Sequence, residues 1–338
     1  MSNAAPGRPS PRPDLTFTPV RNGMDYLERA VADLTEGATP PSARDLKYAV
    51  LHLQAATEVL LKARLVGEHW SLVFKDPGSA TMEEFQKGGF KSCDTDETIK
   101  RLAGIARVEI PSASRIAIKN LSSDRNALMH YGHTGDAFVV EARAVGVLGF
   151  LLDFVEGDLR PMLKARYQDS IRAEWEGAKG LTREDMIELL SRSPKVVDID
   201  QELFAVDVTM QDLRTKLGRI EKLVDQRMKS LSGQLKPVLH RTIRCPDCRQ
   251  WALVVATLRK QGDQIYCRFC LLAYDNPKSP AYEYLQHVIG QDNGAVVGCP
   301  SCDSKSLVLG ANTADNPRED VGLCFSCGET AKEVINGE

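Results

Sequence analysis

Hydrophobic positions in the first half of the chain recur at spacings of three and four between short polar breaks, the period of helices that bury one face. The clearest run follows Pro40 and Pro41, where Leu46, Val50, Leu53, Thr57 and Leu60, flanked by Ala49, Ala56 and Ala63, make one apolar face of a long helix. The same period predicts helices over 24–34, 95–106, 112–131 and 139–163. Strand patterns are scarce before residue 240, so residues 17–165 read as an up-and-down helix bundle. Further on, Leu203, Val206, Met210, Leu213, Leu217, Ile220, Val224, Arg227 and Leu231 space as a heptad seam with one polar interruption, at Arg227. Residues 166–240 therefore read as a helical linker, with a coiled coil over 203–231 favoured over a helix lying on its own domain. Lys216 and Glu221 would be a g-to-e′ pair of a parallel dimer. Short β-prone runs appear only afterwards, WALVVATL at 251–258 and KSLVL at 305–309. The expected fold class is mainly α: a helical bundle, a long helical linker and two small β-type modules at 241–280 and 295–335.

The length of 338 residues allows about two or three domains. Residues 1–16, rich in proline and without an apolar core, read as a disordered leader and not as a secretory signal. The longest apolar stretch, around 144–152, is cut by Asp153 well short of the roughly 18 residues that a membrane span needs. A cytoplasmic location is expected, and with it reduced cysteines.

Eight of the nine cysteines fall into four C-x-x-C pairs: Cys245/Cys248, Cys267/Cys270, Cys299/Cys302 and Cys324/Cys327. A C-x-x-C turn points two thiolates at one ion, and a second turn about 20 residues on completes a tetrahedral S₄ site suited to Zn²⁺. Each module therefore resembles a zinc ribbon, and two structural zinc ions per chain are expected. The rival reading, a redox C-x-x-C, lacks the βαβ pattern that accompanies it. Cys93 stands apart as a spare, partly exposed thiol.

The net charge of −3 averages unlike regions. The first module carries Arg241, Arg244, Arg249, Arg259, Lys260 and Arg268, and Arg241, Arg244, Arg249, Arg259 and Lys260 are candidate phosphate contacts. Arg214, Lys216, Arg219, Lys222, Lys229 and Lys236 on the preceding helix extend the basic stretch. The second module, with Asp303, Asp315, Glu319, Asp320, Glu329 and Glu333, suits a structural or protein-contact role.

The helix at 112–131 carries the other candidate chemistry. Its stripe runs through Ile118, Leu121 and Leu128, yet Arg125 lies inside it, followed by Asn126 and His130. A cation there must be paired, exposed at an interface or put to use. Pairing with Asp124 or Glu141 is the structural alternative for Arg125, and contact with the last helix carbonyls is that for His130. The segment SSDRNALMHYGH, with the upstream ATEVLLKARL carrying Glu58 and Lys62, resembles the HEPN family (higher eukaryotes and prokaryotes nucleotide-binding) over roughly residues 20–160.

That resemblance implies a helical bundle and, in many members, a metal-independent endoribonuclease whose site forms at a dimer interface. Carried over onto R-N-x-x-x-H, it implies that His130 does acid/base work, Arg125 stabilises the phosphorane charge and Asn126 orients the phosphate, giving 2′,3′-cyclic phosphate and 5′-hydroxyl ends. The residue types suit this, since histidine titrates near neutral pH and arginine grips phosphate with a rigid fork. On an ideal helix Arg125 and His130 are about 140° apart, which a second protomer would reconcile. The expected partners are RNA, a second copy of the chain and, in toxin–antitoxin or phage-defence settings, an antitoxin or other protein. A non-catalytic HEPN scaffold and a zinc-ribbon DNA-binding regulator are the competing readings.

Overall fold

The computed structural model describes residues 17–36, 41–130, 137–178, 180–255, 265–290 and 296–331. The chain is mainly helical, with small antiparallel sheets towards its C-terminus. The helices are α1 (Pro19–Thr35), α2 (Ala43–Glu68), α3 (Met82–Lys87), α4 (Thr95–Arg101), α5 (Ser112–His130), α6 (Ala137–Phe154), α7 (Arg160–Gly177), α8 (Arg183–Arg192), α9 (Pro194–Leu235) and α10 (Lys278–Tyr284). A π turn joins α6 to α7 without a break in the chain direction, so the periodicity over 139–163 spans two helices.

α2 is the centre of the bundle. Ser42 and Asp45 close its N-terminus with a reciprocal capping box, and Leu46, Ala49, Val50, Leu53, Ala56, Thr57, Leu60 and Ala63 are all buried, as their spacing requires. α1 packs along it so closely that a Cβ on Gly23 would stand 2.5 Å from Leu60 Cδ2.

α9 is not a linker and its seam is not free to form a coiled coil. Val206, Met210, Leu213, Leu217 and Ile220 belong to the same core as α1, α2 and α6. An apolar stripe is buried where it first finds a complementary surface, and here the chain's own bundle supplies it. Lys216, placed in an interchain pair by the heptad reading, instead meets Glu36 at 3.1 Å and Asp212 at 3.0 Å, and Arg214 meets Asp153 at 2.8 Å and Glu156 at 2.5 Å. Glu202 reaches from α9 to accept from the backbone N–H of Val20, in the first turn of α1, at 3.3 Å. Cys93, expected to be partly exposed, is 2% exposed, with its sulfur 3.2 Å from Thr98 Oγ1.

The strands are β1 (Thr242–Arg244), β2 (Trp251–Val254), β3 (Ile265–Cys267) and β4 (Ala273–Tyr274) in one antiparallel sheet, and β5 (Val296–Gly298), β6 (Lys305–Val308) and β7 (Leu323–Cys324) in another. The two sheets are not independent modules. Tyr284 and Leu285, at the end of α10, lie in one core with Ile243, Leu253 and Phe269 of the first and Val308, Leu323 and Phe325 of the second. Tyr284 meets Phe325 edge to face at 5.7 Å, and Ala314 N–H donates to the Thr242 carbonyl at 2.7 Å. The residues between the two cysteine clusters thus supply the joint, which the cysteine pattern does not mark. Among the described residues, no helix is long and apolar enough to cross a membrane.

The close α1–α2 approach yields a stability test. Gly23→Ala should cost about 1–3 kcal/mol in urea unfolding by forcing Leu60 aside. Gly218→Ala on α9, where a Cβ meets nothing within 4 Å, should instead gain about 0.5–1 kcal/mol.

Candidate functional site

All four C-x-x-C segments fold into the same turn. The residue after the second cysteine is left-handed each time: Arg249 at φ 64°, Leu271 at 61°, Asp303 at 54° and Gly328 at 78°. Its N–H donates to the carbonyl of the first cysteine, at 3.0, 2.9, 2.8 and 2.8 Å respectively. The first cysteine's N–H in turn donates to the carbonyl of Gln250, Leu272, Ser304 or Glu329. A left-handed L residue costs roughly 1–2 kcal/mol, so three of these turns hold a strained residue that something else must stabilise. The two sheets repeat each other as well: both have a register shift just before the first cysteine, and Leu253 opposite Cys267 matches Leu307 opposite Cys324.

The turns bring the thiols together in fours. In centre 1, Cys245 and Cys270 have sulfurs 3.8 Å apart, and Cys248 and Cys267 3.6 Å. In centre 2, Cys299–Cys327 and Cys302–Cys324 are each at 3.7 Å, and within each centre all four sulfurs lie within 4.8 Å of one another. A tetrahedron with metal–sulfur bonds of about 2.3 Å has edges of about 3.8 Å, whereas a disulfide needs about 2.05 Å. Each centre could hold one metal ion. The thiols of a centre do not all favour the ionised form: neighbouring thiols hold Cys245 well above the usual range and burial pushes Cys302 up to about 11, while neighbouring thiols hold Cys270 well below it and, against its burial, hydrogen bonds from Ser306 and the backbone lower Cys324. A bound cation removes that difference by replacing the protons. Four thiolates per ion leave no open position, so the donor set suits a structural centre.

The surroundings of the two centres differ. In centre 1, Asp247 sits between the first two cysteines, and its carboxylate accepts from Asn120 Nδ2 of α5 at 2.9 Å and Arg143 Nη2 of α6 at 2.9 Å. Arg143 Nη1 donates to both oxygens of Asp124 at 2.9 and 3.0 Å. Burial alone would depress the Arg143 guanidinium, but Asp247 and Asp124 outweigh it and hold its pKa above the usual value. Arg227 of α9 donates to the Phe269 carbonyl, inside the second cysteine turn, and stacks on the Phe269 ring at 4.8 Å. Beside the centre lies a cavity of about 290 Å³ whose walls include Asn120, Arg143, Gly146, Asp247 and Arg249. In centre 2, Ser301 occupies the place of Asp247 and is exposed, and Cys302 and Cys327 are half-buried. Its nearest support is local: Ser306 Oγ lies 3.5 Å from Cys324 Sγ and 2.7 Å from Ser326 Oγ.

No protein-family model, curated protein or solved structure matches the chain. The site rests on its own geometry.

Arg125 and Asn126 line a groove of about 320 Å³ with Gln54, Glu58, Lys119 and Ser122. Arg125 Nη1 donates to Asn126 Oδ1 at 3.0 Å, and among the described residues it has no acid partner. Asp124, one of its candidate partners, is taken by Arg143, and Glu141, the other, lies near Arg227 with its pKa raised by burial. Glu58 shares the groove but is paired with Lys62 at 2.5 Å, and Asp94 and Asp96, which also line it, make its charge mixed. His130 is exposed at the last turn of α5 and is not among the residues lining the groove. One chain thus brings Arg125, Asn126 and Glu58 together and leaves His130 apart.

The basic set of the first sheet divides. Arg249 donates to the His287 carbonyl at 2.5 Å, has its pKa lowered by burial and lines the cavity beside centre 1, so its guanidinium is in part turned into the molecule. Arg241 donates to the Val255 carbonyl at 2.9 Å, and Arg244 is exposed, 5.1 Å over the Trp251 ring. Arg259 and Lys260 lie outside the described residues. The residues that sequence reasoning missed are Asn120, Arg143 and Asp247. Only the buried-charge rule marks Arg143, a cation beside apolar positions of α6.

The unequal burial of the thiols predicts two-phase metal release to a colorimetric chelator. The fast phase should come from centre 2 and disappear in Cys302→Ser. Equal rates from both centres would mean that burial does not control access.

Proposed function

We propose that both centres hold structural Zn²⁺, and that the chain is a metal-independent endoribonuclease of the HEPN type acting as a homodimer. The observation that supports the catalytic reading is Arg125. It is a half-buried cation without an acid partner among the described residues, next to Asn126, in an open groove, on the helix that ends at His130. A guanidinium in that state is available to a phosphate. In the proposed reaction the ribose 2′-OH attacks the adjacent phosphorus and the 5′-oxygen leaves. Arg125 offsets the phosphorane charge, Asn126 orients a non-bridging oxygen, and His130 from the other protomer takes the 2′-hydroxyl proton and returns it to the departing 5′-oxygen. The separation of His130 from the groove within one chain is the reason for assigning the two groups to different protomers.

The same separation favours a second reading, a non-catalytic scaffold in which the metal centres brace a surface for a nucleic-acid or protein partner. Zinc contributes no step in either case; when bound, it holds the turns that carry Asp247 and Phe269.

The two readings part in one assay. Purified chain incubated with RNA and no added divalent ion should release 2′,3′-cyclic phosphate ends, and Arg125→Ala or His130→Ala should each lower the rate by about 10²–10⁴-fold. Mixing the two variants should restore part of the activity, because a heterodimer regains one complete site. Intact RNA in every arm would leave the scaffold, and cleavage without restoration on mixing would contradict the shared site.

A further inference from the structure

Metal centre 1 is gripped from outside its own sheet, and among the described residues centre 2 is not. Asp247 is a turn residue whose backbone position is set by the two cysteines on either side of it. Its side chain is the point at which α5 and α6 meet the cysteine cluster: Asn120 and Arg143 converge on its two oxygens, and Arg143 passes the contact on to Asp124. These are buried charges, with side-chain exposures of 18% for Arg143, 6% for Asp124 and 9% for Asp247. Removing one partner of such a network leaves the others uncompensated in a low-dielectric interior. The side chains of Val139 and Ala142 pack on the same core as the turns, so α6 adds an apolar contact to the polar one.

We propose that Asp247 couples metal centre 1 to the α5–α6 helix pair, so that the ion in centre 1 holds those two helices in place while the ion in centre 2 does not. With the metal bound, the turn presents Asp247 to Asn120 and Arg143. Without it, the strained turn loses its clamp, Asp247 leaves its position, and Asp124 alone remains on Arg143. Coupling between two sites is reciprocal. Weakening the helix side must therefore loosen the metal in centre 1. The inference stands on this network alone and does not depend on catalysis by α5, although a ribonuclease using Arg125 would inherit the dependence, since Arg125 adjoins Asp124.

Hydrogen exchange of the full-length, metal-loaded chain tests this, with bound metal counted on the same samples. Asp247→Asn and Cys248→Ser should speed exchange in residues 112–130 and 137–154 by roughly ten- to a hundredfold, whereas Ser301→Ala and Cys302→Ser should leave those helices unchanged. In the reverse direction, Arg143→Ala should accelerate chelator release from centre 1 and not from centre 2. Asn120→Ala, which removes a single hydrogen bond, keeps the test valid if Arg143→Ala fails to fold. Unchanged exchange in α5 and α6 when centre 1 is emptied would overturn the coupling, as would equal acceleration by the centre 2 variants.

Discussion

Arg143 places one guanidinium nitrogen on Asp124 and the other on Asp247, and all three side chains are largely withdrawn from water. Two carboxylates and one cation buried together would carry an excess negative charge. Arg249, close to Asp247 and the Cys245 and Cys248 thiols and depressed by burial, supplies a second cation near the junction. Such an arrangement is costly to break but adds little net stability compared with apolar packing. What it provides is register: a carboxylate in a cysteine turn has one position at which Asn120 and Arg143 can both reach it. The helical unit and the cysteine-rich unit are joined there by directional contacts as well as by apolar ones.

α9 makes the same connection along its length. Its first two thirds contribute Val206, Met210, Leu213, Leu217 and Ile220 to the bundle core. Its last third contributes Leu235, with Val224, Met228 and Leu231 alongside, to the core shared by the two sheets. The polar interruption of the heptad seam, Arg227, falls inside the second stretch, between Val224 and Leu231. Arg227 is there because the helix has reached the second cysteine turn, where a guanidinium can meet the Phe269 carbonyl and ring at once. A defect in a coiled-coil pattern is thus a specific contact in the folded chain.

The cysteine clusters were the most legible part of the sequence, because ligand spacing constrains a tetrahedral site directly and needs no knowledge of the rest of the fold. The apolar face of α2 was legible for a similar reason, since its period and capping residues are local. The partner of α9 was not: a stripe of apolar residues states that a helix is buried, and a second copy and the chain's own bundle satisfy it equally. The pairing of Asp247 with Arg143 was not legible, because nothing in either local pattern refers to the other. The contact of Arg249 with the His287 carbonyl was not legible either, because the left-handed turn that directs it there follows from the cysteine geometry and not from its neighbours' composition. Arg125 and His130 lay as far apart as their spacing on one helix required.

The strained turns, the placement of Asp247 and its contacts with α5 and α6 all call for each cysteine cluster to be a closed four-thiolate metal centre. X-ray absorption at the zinc edge of the purified full-length chain, with metal counted per chain, addresses it directly. Two ions per chain, each with a shell of four sulfurs at about 2.3 Å and no lighter first-shell atom, is the result expected. A shell that includes nitrogen or oxygen, or a chain that folds with no metal at all, would contradict it.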